Sequence, residues 1–312
     1  MSTRVPEPRA RRLAWWVAGV LLFTAVRGLW AQTTFRTETD LVSVGVAVTD
    51  RRQAFVTDLT QADFEVFEDG RAQTVTHFDR GATGARSGET HVGLLFDTSG
   101  SMGEDIVLAR SAAVRFLNTL RDATDMTLVD FDTEVRVARY GQRDFPRLVE
   151  RIRSRKPSGF TAMYDALGVY LDGAADNQGR TILVLFTDGG DTRSVTRFSE
   201  VVALLRASAV TVYAIGFLDH QPGSVRADQR LRLSQLAQET GGEAFFPRTM
   251  DEVVKAYDRV VAGTEAQYTL GYVSSNATTD GAWRKVEVKV RRPGAGGLRL
   301  HTRKGYFAPY RP

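Results

Sequence analysis

The stretch "HVGLLFDTSGSM", residues 91–102, runs from a short apolar segment into Asp97 and then into Thr98, Ser99, Gly100 and Ser101. Small hydroxyl residues and a carboxylate add almost nothing to a core, and a hydroxyl buried without a partner costs roughly 1–3 kcal/mol. A ligand, a metal ion or the start of a helix must satisfy them. Two other segments carry the same chemistry: Thr161 in "KPSGFTAMYDAL", just before a helical pattern, and Asp188 at the end of the apolar run "TILVLFTD". Two carboxylates and three hydroxyls form an all-oxygen donor set, suited to a hard cation such as Mg²⁺, which takes about six oxygens and often retains waters. Taken singly, the segments have plainer readings, "DTSGS" as a helix N-cap and "TDGGD" as a turn. Glu104 and Asp105 read as favourable charges in a first helical turn, and Asp165 and Asp191 as supporting or turn residues rather than ligands.

These groups can meet only if the elements carrying them are neighbours. From His91 onward, short apolar strands (92–96, 126–131, 181–187, 209–217, 243–246) alternate with helical stretches, one of which puts Ile106, Ala109, Ala113, Phe116, Leu117 and Leu120 on a single stripe. Near-continuously apolar strands alternating with helices predict a doubly wound, mostly parallel α/β sheet covered on both faces. Ligands in such folds bind at the carboxyl ends of the strands, which is where Asp97 and Asp188 fall. On either side the texture is β. "DLVSVGVAVTD" puts Val42, Val44, Val46 and Val48 on one face, and Asp69-Gly70 between two strand-like runs signals a hairpin. Near the other end, "AQYTLGYVSS", "RKVEVKVRR" and "LRLHTRKGYFAPY" are strand-like again, with the "NAT" at Asn276 read as a polar turn. Neither half has enough strands to close a core, so the two are expected to form one small β-sandwich with the α/β domain inserted between them. The expected organisation is a leader over 1–31, a β module over 32–84, the α/β domain over 88–262 and a completing β segment over 265–312.

The joint pattern Asp-x-Ser-x-Ser, a distant Thr and a distant Asp resembles the von Willebrand factor A domain family, a Rossmann-like fold, over roughly residues 91–262. The resemblance implies a metal-ion-dependent adhesion site in which Ser99, Ser101 and Thr161 bind the ion directly and Asp97 and Asp188 act largely through waters. Mg²⁺ is the implied cofactor, with Mn²⁺ or Ca²⁺ as alternatives, and the implied partner is a protein supplying an Asp or Glu carboxylate to an open coordination position. The flanks, "TDLTQADFEVFEDGRAQTVTHF" and "YTLGYVSS" through "RKGYFAP", are similar to the bacterial VWFA-related group of acidobacterial type. Family members often carry two glycines before the threonine, whereas here Phe160 replaces the second. Phe160, with Thr98, is read as an apolar rim contacting the ligand.

The chain holds 41 basic and 37 acidic residues, and its pI near 9.4 invites a nucleic-acid reading. Five of the arginines (4, 9, 11, 12 and 27) fall within residues 1–31 against Glu7 alone, which leaves 36 basic and 36 acidic residues elsewhere. No nucleic-acid partner is therefore expected. A basic stretch, an uncharged run from Leu13 to Val26 and Ala31 form a secretory-signal pattern, with cleavage after Ala31 or retention as an anchor. With no cysteine, no disulfide is possible. The expected location is a bacterial periplasm, cell surface or exterior, with membrane contact only through a retained leader. Catalysis is disfavoured. An aspartyl-phosphate phosphatase needs a second carboxylate where Ser99 stands, no Gly-Lys pair forms a phosphate loop, and no nucleophile elbow accompanies the four histidines. The expected function is cation-dependent protein binding, in adhesion or assembly. A structural envelope protein with a fold-stabilising metal is the alternative reading.

Overall fold

The computed structural model describes residues 41–81, 89–119, 123–177, 179–292 and 294–310. The expected leader and Leu120 lie outside them. Along the chain, β1 (Leu41–Thr49), β2 (Phe64–Glu68), β3 (Arg71–Gln73) and β4 (Val75–Arg80) precede the α/β part. That part comprises β5 (Thr90–Asp97), α1 (Ile106–Thr119), β6 (Asp125–Phe131), β7 (Val135–Gly141), α2 (Phe145–Ser154), α3 (Met163–Gly173) and β8 (Arg180–Thr187). It continues through α4 (Phe198–Ala207), β9 (Val210–Gly216), α5 (Gly223–Glu239), β10 (Ala244–Phe245) and α6 (Met250–Glu265). The strands β11 (Tyr268–Val273), β12 (Trp283–Val290), β13 (Arg299–Thr302) and β14 (Gly305–Phe307) follow.

The central sheet has the order β10-β9-β8-β5-β6-β7. All neighbours are parallel except β7, which runs antiparallel to β6 at the edge. This edge strand was not among the expected ones: "VRVARYG" places arginines between its apolar residues, and its exposed side reads as loop. Side chains alternate between the two faces of each buried strand. Val92, Leu94 and Phe96 pack with Ile106, Phe116, Leu148 and Tyr257 of α1, α2 and α6. Leu95, Leu183 and Leu185 pack with Leu167, Val201 and Leu233 of α3, α4 and α5. Burial on both faces explains why these strands read as unbroken apolar runs. The predicted stripe of α1 is buried from Ile106 to Leu117.

The flanking segments form two further sheets, β13-β1-β11-β4 and β14-β12-β2-β3, each mixing strands from both ends of the described chain. This is the expected sandwich. Val44, Val46 and Val48 meet Phe64, Val66, Tyr268, Leu270 and Tyr272 in its core. Asp69 (φ 48°) and Gly70 (φ 81°) close β2 onto β3 as a two-residue turn with both φ positive, the form that matches strand twist. The second run of this hairpin region divides after Gln73, because β3 stays with β2 while β4 crosses to pair with β11. Glu68 lies buried between the sheets and accepts hydrogen bonds from the Tyr272 hydroxyl at 2.9 Å and the Tyr306 hydroxyl at 2.8 Å.

Gly93 sets how closely α3 approaches the sheet. A Cβ on Gly93 would lie 2.2 Å from the ring of the buried Tyr170. Gly93→Ala is expected to cost about 1–3 kcal/mol through overpacking, with part recovered in a Gly93→Ala, Tyr170→Leu double variant. Urea denaturation of both single variants and the double checks this, since strictly additive losses would show that the contact does not govern α3.

Candidate metal centre

The parallel register of β5 and β8 opposes Phe96 to Phe186 and brings the two strand ends side by side. The Thr187 hydroxyl then donates to Asp97 Oδ2 at 2.6 Å, while Asp97 Oδ1 accepts the Ser99 N–H at 2.9 Å. Ser99 Oγ and Ser101 Oγ lie 3.0 Å apart, and Ser101 also hydrogen-bonds the Asp188 carboxylate. Four of the five expected donors thus form one connected group. Asp97 and Ser99 are wholly buried and Asp188 nearly so, whereas Ser101 is exposed and opens the group to solvent.

Thr161 reaches the same edge through its backbone surroundings. Gly100 N–H donates to the Gly159 carbonyl at 3.1 Å and Ser158 N–H to the Thr98 carbonyl at 2.9 Å, which fastens the 158–161 loop to the "DTSGS" loop. Ala162 N–H donates to the Asp132 carbonyl. On the other side, the Thr161 N–H donates to the Thr192 hydroxyl at 3.0 Å, and the Thr161 carbonyl accepts from the N–H groups of Thr192 and Arg193. Gly159 has φ 74°, and a Cβ there would stand 2.4 Å from the Thr133 hydroxyl, so only glycine fits the turn that delivers Thr161.

The two rim candidates separate. Phe160 is 63% exposed and only its N–H is held, by the Thr133 hydroxyl at 2.9 Å, so the aromatic ring faces outward instead of crowding the donors. Thr98 is not at a rim: it is wholly buried and its hydroxyl donates to the Phe131 carbonyl at 3.0 Å. Asp191 accepts from the Tyr164 N–H and the Ser194 hydroxyl, and Asp165 accepts from the N–H groups of Val195 and Thr196. Both carboxylates therefore pin the 191–196 loop to the start of α3. Thr187 and Thr133 were absent from the expected set. Thr187 carries one signal, its position beside Asp188; Thr133 carries none, because its role depends on a loop distant in sequence.

Burial and the neighbouring Asp188 charge push the Asp97 carboxyl up to about 7, against the opposing pull of the Thr187 and Ser99 hydrogen bonds. Burial also raises Asp188, offset by its bonds to Ser101 and the Gly190 amide. Asp188 Oδ1 is buried with no hydrogen-bond partner. Such an orphaned carboxylate oxygen costs several kcal/mol unless a positive charge accompanies it. Two adjacent buried carboxylates, an orphaned oxygen and flanking hydroxyls fit a hard divalent cation in both charge and donor chemistry. Among the described residues no three His, Cys, Asp or Glu side chains are arranged to hold a metal ion, so hydroxyls have to complete any such donor set.

A family model for the von Willebrand factor type A domain matches residues 91–259. A comparison with curated proteins returns no match. Among solved structures, the D319A mutant of the PilB minor pilin from Streptococcus sanguinis is similar at 14% identity and a TM-score of 0.44, over 56% of this chain and 62% of that one. A von Willebrand factor type A protein from Catenulispora acidiphila is similar at 13% identity and a TM-score of 0.48, over 88% of this chain and 75% of that one. The open conformation of the pilus adhesin SpaC from Lactobacillus rhamnosus GG is similar at 11% identity and a TM-score of 0.45, over 79% and 48%.

The raised carboxyl gives a signed expectation for the cation-free chain. A carboxyl held near 7 in the fold and near its ordinary 3.8 when unfolded binds more protons folded than unfolded between those values, so stability falls as pH rises through that window, by about 4 kcal/mol in all. Urea denaturation in EDTA at pH 5 and pH 8 is expected to show the loss, and Asp97→Asn to flatten it. A wild-type chain equally stable at both pH values would contradict this.

Proposed function

We propose, for a chain that belongs to the von Willebrand factor type A domain family, that its strand-end oxygen cluster holds a divalent cation and thereby captures a carboxylate of a partner protein. The observation that carries this reading is the buried, unpartnered Oδ1 of Asp188 beside the equally buried Asp97. Ser99, Ser101 and Thr161 are the proposed direct ligands, with Asp97 and Asp188 acting largely through water. Mg²⁺ is the proposed ion, with Mn²⁺ and Ca²⁺ as substitutes of similar ligand preference. When bound, the cation supplies an electrophilic position for one more anionic oxygen.

The residues of the chain do the rest. Asp97 and Asp188 roughly neutralise a divalent charge, and the Thr187 and Ser99 N–H bonds fix the Asp97 carboxylate in one orientation. The bonds joining the 158–161 loop to the "DTSGS" loop hold the hydroxyl side of the site in place before any ligand arrives, a preorganisation that lowers the cost of binding. Exposed Ser101 leaves the cluster accessible, and the outward ring of Phe160 offers apolar contact to whatever surrounds the incoming carboxylate. The proposed role is adhesion or assembly of an exported protein, without catalysis; export follows from the basic-then-apolar pattern of residues 1–31.

Calorimetric titration with Mg²⁺ is expected to show saturable binding that Asp188→Ala abolishes while circular dichroism stays unchanged, with about 2.7 kcal/mol of added stability in the wild type at a hundredfold excess over Kd. Phage-displayed peptides selected in Mg²⁺ and eluted with EDTA are expected to be enriched in Asp or Glu, and to be lost with Asp188→Ala. Binders without a carboxylate preference would contradict the capture step, and an absence of cation binding would contradict the site.

A further inference from the structure

The amino ends of the parallel strands, opposite the strand ends that carry Asp97 and Asp188, meet the sandwich across a cavity of about 390 Å³. Ser43, Asp79, Gln267 and Thr269 line it from β1, β4 and the start of β11; Thr90, Arg180 and Thr211 line it from the central sheet; and Arg206, Glu239 and Arg303 complete it.

The charges in the cavity do not balance by contact. Glu239 is fully engaged, with Arg206 Nε at 2.9 Å and Lys304 Nζ at 2.9 Å. Asp79 attracts Arg180 without an ion-pair contact, and its Oδ1 accepts the Arg80 N–H at 2.8 Å. The Arg180 guanidinium donates from Nη1 to the Thr264 carbonyl at 3.0 Å. Arg303 donates from Nε to the Gly305 carbonyl at 2.7 Å and from Nη2 to the Arg206 carbonyl at 3.4 Å. Among the described residues neither arginine forms an ion pair with a carboxylate, although both are half-buried, and burial lowers the pKa of each. Both arginines are among the residues that line the cavity. Buried guanidinium groups are ordinarily matched to a carboxylate or phosphate. Three arginines and two carboxylates on the wall, with Lys304 beside Glu239, leave the cavity positive.

We infer that the cavity between the sandwich and the amino ends of the parallel strands is a binding site for a small organic anion, its carboxylate or phosphate held by Arg180 and Arg303 and its hydroxyls by the Ser and Thr side chains of the wall. The planar fork of each guanidinium suits either oxyanion. A hydroxyl-bearing acid fits the lining better than an apolar one, and the volume accommodates a single small molecule.

The site is independent of the carboxylate cluster, and the test keeps the two apart. The full chain is titrated calorimetrically in EDTA, so that a carboxylate probe has no cation to bind, with glucuronate and with inorganic phosphate as separate probes. Saturable binding of either is expected, with the tighter of the two identifying carboxylate or phosphate as the natural chemistry. Arg180→Gln and Arg303→Gln are each expected to weaken binding at least tenfold with unchanged circular dichroism. Because Arg303 also braces two carbonyls, Arg303→Lys serves if the glutamine variant unfolds: the charge survives, the fork is lost, and a weakening smaller than that of Arg180→Gln is expected. Asp188→Ala is expected to leave binding intact. No saturable binding of either probe to the wild type, or binding indifferent to both arginines, would overturn the inference.

Discussion

Two carboxylates buried side by side at the ends of adjacent parallel strands are the constraint on which the upper edge of this protein depends. Burial disfavours the ionised form and a neighbouring like charge adds to the cost, and Asp97 responds by holding its proton up to about 7. The fold does not relieve the conflict by turning either group to solvent. It aligns the Thr187 hydroxyl and Ser99 N–H on Asp97 and leaves one oxygen of Asp188 bare. An arrangement that costs stability when the cluster stands alone becomes favourable when a divalent charge sits among its oxygens, so the tension and the proposed function have one source.

Holding that arrangement requires rigidity beyond the carboxylates. The bonds from Gly100 to Gly159, from Ser158 to Thr98, and from Thr192 and Arg193 to Thr161 join three loops into one platform. Asp165 and Asp191 extend it by gathering backbone N–H groups of the 191–196 loop and the start of α3. Beneath it the sheet is packed on both faces, and the absence of a side chain at Gly93 lets Tyr170 draw α3 close. The platform is therefore anchored in the core of the α/β part rather than in the loops themselves.

The sandwich adds a second consequence. Its strands come from both sides of the inserted α/β part, so the chain enters and leaves that part at the same end, away from the carboxylate cluster. The junction is rich in arginine, with Glu239 tied to Arg206 beside it and to Lys304 across it. The two ends of the central sheet thus differ in sign: a carboxylate cluster at the carboxyl ends and an excess of guanidinium groups at the amino ends. Each end is chemically suited to a ligand of the opposite charge.

Much of this was determined by the order of residue types. Short apolar runs alternating with helical stripes specify a sheet buried on both faces, and Asp69-Gly70 specifies the β2–β3 hairpin of the sandwich because both positions have positive φ. The candidate donors Asp97, Ser99, Ser101 and Asp188 were legible because hydroxyls and carboxylates at the ends of core strands have no packing purpose, and Thr161 because it joins them in a spaced pattern. What only the tertiary structure decided were relations between distant segments. The pairing of β5 with β8 makes Thr187 a partner of Asp97, the turn at Gly159 depends on Thr133, and the burial of Thr98 removes it from the rim. The edge strand β7 was hidden because half of it faces water and carries arginines. Local sequence encodes the periodicity and polarity of each element, whereas which elements become neighbours, and so which side chains lose their water together, is set by packing across the whole sheet.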